Sequence, residues 1–238
     1  MAARPASRTA TAPRFRLSPL ARLRLLWIAA SGLGACLGSI LAVVLFPEMA
    51  FARNPTGHHD PRQIGFALAL GAPLGLAQAV ALAWLFRRAR WTRFVGLVLW
   101  TPLTAAGVAL MLLPLWDVDA EALIFVAPFG GMLVHIWRGL ALLAFGQWIL
   151  VRTMASLPVA WALLTAAGAF AGASWGLLAG LFASYPLVLA AAALGLPSPP
   201  VEPAWALAFG AGLGLAQCQG LARAANDDAD LTAVAEAF

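Results

Sequence analysis

The 238 residues predict an all-α, polytopic membrane protein built as a bundle of six transmembrane helices. Three observations carry that expectation: 62% of the residues are hydrophobic, only 11% are charged, and the mean hydropathy is +0.85. Soluble domains hold roughly a quarter of their residues charged, since their surface faces water. The apolar residues also fall into separate runs of about 18–25, the length that crosses a hydrocarbon core of about 30 Å. Inside a bilayer each backbone amide must be paired within the segment, so such runs form helices.

The spans fall at approximately 24–46, 64–86, 94–115, 131–152, 159–182 and 203–223, on length and polarity. They divide the chain into a basic tail over 1–23, a transmembrane domain over 24–223 and a second tail over 224–238. Arginine orients them, and all fifteen basic residues are arginine. Arg4, Arg8, Arg14, Arg16, Arg22 and Arg24 precede the first span, Arg87, Arg88, Arg90 and Arg93 fill the second turn, and Arg152 and Arg223 close the fourth and sixth spans. The opposite side receives only Arg53 and Arg62, so the positive-inside rule puts both termini in the cytoplasm of a bacterial inner membrane. The run from Leu25 to Phe46, followed by "AFA", is too long for an ordinary signal core and is expected to stay as a span. The net charge of +5 is spent on this orientation and does not point to nucleic acid.

The six spans read as three helical hairpins. Each second helix carries a glutamine shortly before arginine: Gln78 before Arg87, Gln147 before Arg152, and Gln217 before Arg223. At about 1.5 Å per residue the amides lie about 8–14 Å inside those arginines, below the headgroups. An unpaired amide there is costly, so interhelical hydrogen bonds are expected, with a polar path or ligand site as the alternative. Gln219, two residues from Gln217, must point elsewhere. Each first helix is expected to bring a tryptophan near the same end: Trp27, Trp91 and Trp161.

Glycines at four-residue spacing mark close helix packing. They are Gly34 and Gly38, Gly71 and Gly75, Gly168, Gly172, Gly176 and Gly180, and Gly210 and Gly214. Most are expected to serve contacts within the chain, the fifth-helix stripe being the candidate for an external partner. Gly, two residues, Gln, then Trp in places, an apolar pair and arginine, repeated hairpin by hairpin from Trp27 to Arg223, resembles a group of uncharacterised bacterial multi-span membrane proteins. Trp follows only Gln147, and Ala144 takes the place of the glycine before it. The resemblance implies an architecture and no activity.

Ionisable residues within a span are candidates for function. His135 and Arg138 lie three residues apart in the fourth span, able to hold an anion or pigment, or to let Arg138 reach outward to Asp117, Asp119 or Glu121. Pro128, Gly130 and Gly131 interrupt any helix begun near Asp119, which leaves 120–131 a surface or re-entrant segment. The adjacent His58 and His59 point to opposite sides of an extended segment and chelate poorly. "GASWG" around Ser174 lies mid-helix, away from the strand-to-helix elbow that a nucleophile of that pattern needs. Cys36 and Cys218 have no metal-ligand spacing.

No catalytic residue, no metal and no definite cofactor is therefore expected. The bilayer, and another membrane protein or a second copy, are the expected partners. Function is expected to be that of a non-catalytic accessory, assembly or structural subunit. The alternative is a small solute transporter or solute-binding component lined by Gln78, Gln147, Gln217 and Arg138, with a pigment- or haem-binding subunit behind it.

Overall fold

The computed structural model describes residues 18–49, 61–85, 90–113, 130–152, 158–195 and 202–227. Among them the chain forms six long helical rods and no strand: α1 (Pro19–Leu45), α2 (Pro61–Leu85), α3 (Arg90–Leu112), α4 (130–152), α5 (Ala160–Ala193) and α6 (Glu202–Asp227). Two described helical stretches are long and apolar enough to cross a membrane, Leu20–Leu45 with 26 residues and Pro61–Ala83 with 23.

α1 starts earlier than its apolar run because Ser18 caps it. The Ser18 Oγ accepts from the Ala21 N–H at 3.2 Å, and Pro19 supplies a preset φ in the first turn. Arg22 and Arg24 thus ride on the helix rather than on a tail. α5 runs eleven residues past its expected end at 182, because nothing over 183–193 breaks it but Pro186, and Ala and Leu are strong helix formers. It stops at Gly195, whose φ of +66° is the left-handed conformation of a helix C-terminus.

α4 is not uniform. Its first part, Gly130–Ala141, passes through a π-helical turn at Leu142–Gly146 into Gln147–Arg152. A π turn holds one more residue than an α turn and shifts the register of all that follows. Its position immediately before Gln147 makes that shift relevant to the site.

Each rod packs antiparallel on the next, and α6 returns to α1, closing a ring of six. The glycines make the approaches. A Cβ at Gly34 would lie 2.9 Å from Leu74 Cα, and one at Gly38 would meet the Leu70 carbonyl, which fixes α1 on α2. Gly71 and Gly75 do the same against Ala105 and Thr101 of α3, at 2.8 and 2.9 Å. Gly210 and Gly214 abut Ser31 of α1. Gly168 meets Ala216, and Gly172 faces Phe209 and Gly212, so this half of the α5 stripe packs inside the chain rather than on an external partner. The surroundings of Gly176 and Gly180 lie outside the described residues.

The buried side chains form two apolar layers. One, toward the end where α1 finishes, centres on Phe66, Leu70, Leu74, Ile136, Leu143, Phe209 and Leu213; the other, toward the arginine-bearing end, holds Trp27, Trp100, Trp161, Leu82, Val151, Cys218 and Leu221. Between them lies a polar layer.

Candidate functional site

Gln78 of α2, Gln147 of α4 and Gln217 of α6 are each 0% exposed. Their amides close a ring on the bundle axis. Gln78 Nε2 donates to Gln217 Oε1 at 3.1 Å, Gln217 Nε2 to Gln147 Oε1 at 2.6 Å, and Gln147 Nε2 to Gln78 Oε1 at 3.4 Å. Every amide gives one N–H and takes one, all in the same rotational sense. In such a cycle each bond polarises the next, and the surrounding low dielectric strengthens all three.

The odd-numbered helices complete the layer. Trp27 Nε1 donates to Gln217 Oε1 at 3.1 Å, and Trp100 Nε1 to Gln78 Oε1 at 3.0 Å. The second N–H of Gln78 goes to Ser31 Oγ at 2.9 Å, and that of Gln147 to Thr104 Oγ1 at 2.8 Å. Indole is donor-only, so Trp27 and Trp100 require an oxygen where they point and thereby set the sense of the ring. The Trp27 and Trp100 rings also meet edge to face, 6.3 Å between centroids at 80°.

Three pairs at four-residue spacing thus line the axis: Trp27 with Ser31, Trp100 with Thr104, and Trp161 with Thr165. The third behaves differently. Trp161 Nε1 donates to the backbone carbonyl of Gln217 at 3.0 Å, and Thr165 Oγ1 donates back to the Trp161 carbonyl at 2.9 Å. The α5 pair therefore bonds backbone carbonyls, that of Gln217 and that of Trp161, while the other two pairs serve the side-chain ring.

Among the described side chains of α3, the tryptophan in this layer is Trp100, which the sequence reading did not single out, while the side chain of Trp91 lies outside the described ones. A tryptophan followed four residues later by a hydroxyl is the pattern shared by Trp27, Trp100 and Trp161. The π turn of α4 is the second feature that sequence reasoning missed. It comes between the glycine contact of Gly139 with Met111 and Gln147, and so sets the face on which the amide emerges.

Arg138 does not join this cluster. It lies nine residues before Gln147, exposed on the outside of α4, with its guanidinium 5.7 Å from the ring centroid of the exposed Trp137. The backbone of His135 belongs to α4, but its side chain, like His58, His59, Asp117, Asp119 and Glu121, falls outside the described residues. Gln219 is exposed, as its spacing from Gln217 requires. Ser174 Oγ donates to the Phe170 carbonyl of its own helix at 3.0 Å, while Trp205 Nε1 donates to the Ala173 carbonyl at 3.1 Å. Cys36 and Cys218 are free thiols.

At the arginine end, the Arg152 guanidinium stacks 5.1 Å from the Trp148 ring centroid. At the other, Arg62 approaches Glu48 at 3.7 Å with both side chains well exposed, a pair of little energetic weight. Chemically the axis offers amides, indoles and hydroxyls, none of which titrates near neutrality or attacks a carbonyl unaided. The class that the fold and this layer define is an all-α helical bundle carrying membrane-length apolar helices around a buried polar ring. Comparison with protein-family models, with curated proteins and with solved structures gave no match.

Proposed function

We propose that this chain is a non-catalytic integral membrane protein whose six rods all cross the bilayer, with both termini cytoplasmic, and that it serves as an accessory or assembly subunit packed against other membrane protein. The observation that carries this reading is the closure of the amide ring. Three polar groups at one depth would line a solute path if they faced an opening. Here they face one another, and their remaining hydrogen-bonding capacity is directed to indoles and hydroxyls of the neighbouring helices. A solute passing along the axis would have to break that ring, so the transport reading loses its lining, and Arg138 lies on the outside.

The same layer supports an internal threefold repeat of hairpins, α1–α2, α3–α4 and α5–α6. Each contributes a tryptophan and a hydroxyl from its first helix and a glutamine from its second. In this reading the ring is a specificity device: it can form only when all three hairpins are docked at one height. Its arginine side faces the cytoplasm, because Arg24 and Arg152 lie just beyond it on that side.

The test is extraction from native membranes in mild detergent, with mass spectrometry of everything that co-purifies. Stoichiometric companion chains, lost on harsher extraction, are the expected result. A chain that comes out alone from native membranes at every detergent strength contradicts the subunit reading.

A further inference from the structure

We infer that Arg138 holds the phosphate of a phospholipid in the leaflet away from the arginine-rich end; this deepens the membrane reading and rests on it. Arg138 is exposed on the outside of α4, with its guanidinium 5.7 Å from the ring centroid of the exposed Trp137. The next residue, Gly139, meets Met111 of α3, which puts the exposed Leu110 at the level of Arg138. Gly71 of α2 meets Val108, and Gly38 of α1 meets Leu70, so the exposed Leu68 and Leu41 carry the same level round to α2 and α1. One cation thus stands in a belt of exposed leucines.

A cation surrounded by hydrocarbon is costly, and the cost is relieved by reaching the headgroups or drawing them inward. Among the described residues no carboxylate lies within ion-pair distance of Arg138. Its height suits a headgroup. Arg152, at the arginine-rich end of the same helix, is fourteen residues away, about 21 Å at 1.5 Å per residue. With Arg152 at one edge of a core about 30 Å thick, the Arg138 backbone stops about 9 Å short of the other edge. The direction of α4 closes most of that gap. Side chains lean toward the N-terminus of their helix, and α4 begins at Gly130, on the far side of Arg138 from Arg152. The Arg138 stem therefore rises toward the nearer headgroups in a favoured rotamer, its methylenes along apolar surface.

Phosphate fits what the geometry leaves. The indole of Trp137 lies within cation–π distance of the guanidinium, and the N–H fork remains for an anion, which phosphate accepts bidentately. Tryptophan is itself at home at the headgroup level. Phospholipid phosphates stand at that level all round a spanning bundle, so the ligand is supplied at the density of a solvent and needs no pocket. Arg152 over Trp148, at 5.1 Å, repeats the pairing at the arginine-rich end, and α4 thereby shows one guanidinium–indole pair to each leaflet.

The experiment uses the full chain in nanodiscs of phosphatidylglycerol that carries a photoreactive group beside its phosphate, with the adducts mapped by mass spectrometry. The parent is expected to carry adducts around Trp137 and Arg138, and others at the arginine-rich end. Arg138→Gln is expected to lower the first set about tenfold, the loss of a charge-assisted contact, and to leave the second unchanged. Excess inorganic phosphate should displace neither. Adducts around 138 that survive Arg138→Gln, or that free phosphate removes, overturn the lipid phosphate as the ligand. A parent without them overturns it too, and their appearance on Asp117→Asn with Asp119→Asn and Glu121→Gln would then give Arg138 to the chain's own acids. In each of these results the adducts at the arginine-rich end leave the membrane reading standing. Loss of adducts from both ends contradicts that reading as well.

Discussion

Ser31 and Thr104 accept an amide proton of the ring, whereas the Thr165 hydroxyl turns back on its own helix. The three hydroxyls look interchangeable in sequence and are not interchangeable in energy. Thr104→Val keeps the shape and leaves a buried Gln147 N–H without its acceptor, a loss of about 1–3 kcal/mol. Thr165→Val removes a bond that the helix carbonyl does not need, and less than about 0.5 kcal/mol is expected, the size of an ordinary neutral change. Detergent-solubilised thermal unfolding of the two variants distinguishes them. Trp27→Phe should behave like Thr104→Val, because it keeps most of the apolar bulk and removes the donor to Gln217 Oε1.

The burial of the glutamines was legible at this scale from the apolar runs that hold them, and their need for partners followed from burial. Which partners was not legible. A ring of three side chains from residues 78, 147 and 217 depends on helix rotation, and a one-residue π turn changes rotation without changing the apolar pattern.

Among the elements, α4 and the glycine seams carry the most testable geometry. An alanine inserted after Gly146 would rotate Gln147 by about 100° away from the ring, whereas deleting Phe145 would let the π turn relax to an ordinary helix that keeps Gln147 on the same face. The insertion is expected to destabilise the protein more than the deletion, read as the midpoint of thermal unfolding. Gly38→Leu would drive a side chain into the Leu70 carbonyl and separate α1 from α2. Overpacking of this kind costs about 1–3 kcal/mol or more, while Leu37→Ala, one residue away on the exposed side, should change stability little. The glycine stripes were readable as packing signals from their spacing. Their direction became clear only with the neighbours in place, and Gly168 and Gly172 turned out to serve α6. The end of α5 was misjudged for a plain reason: a span length of about 20 residues describes the bilayer, not the helix.

For the whole molecule, arginine placement and apolar length were enough to predict six rods near their observed positions, since both are properties of segments. Closure of α6 onto α1 is a property of all six together, and no local pattern contains it. The proposed topology makes its own prediction in a background of Cys36→Ser with Cys218→Ser. A cysteine at Ser18 or Arg152 should react with a membrane-impermeant maleimide only after the inner membrane is opened, and one at Pro61 should react in intact spheroplasts. Labelling of Ser18→Cys in intact spheroplasts would reverse the orientation.

The central claim is that the three amides bond one another as a structural layer. The measurement that tests it most directly is a thermodynamic cycle on Gln78→Met and Gln217→Met, singly and together, by reversible unfolding in lipid or mild detergent. Methionine keeps the unbranched shape and removes the hydrogen bonds. Each single variant should lose stability, and the double variant should lose less than their sum, with a coupling of about 0.6–2 kcal/mol. Strictly additive losses, or single variants as stable as the parent, would mean that the amides do not hold each other and are directed at something else.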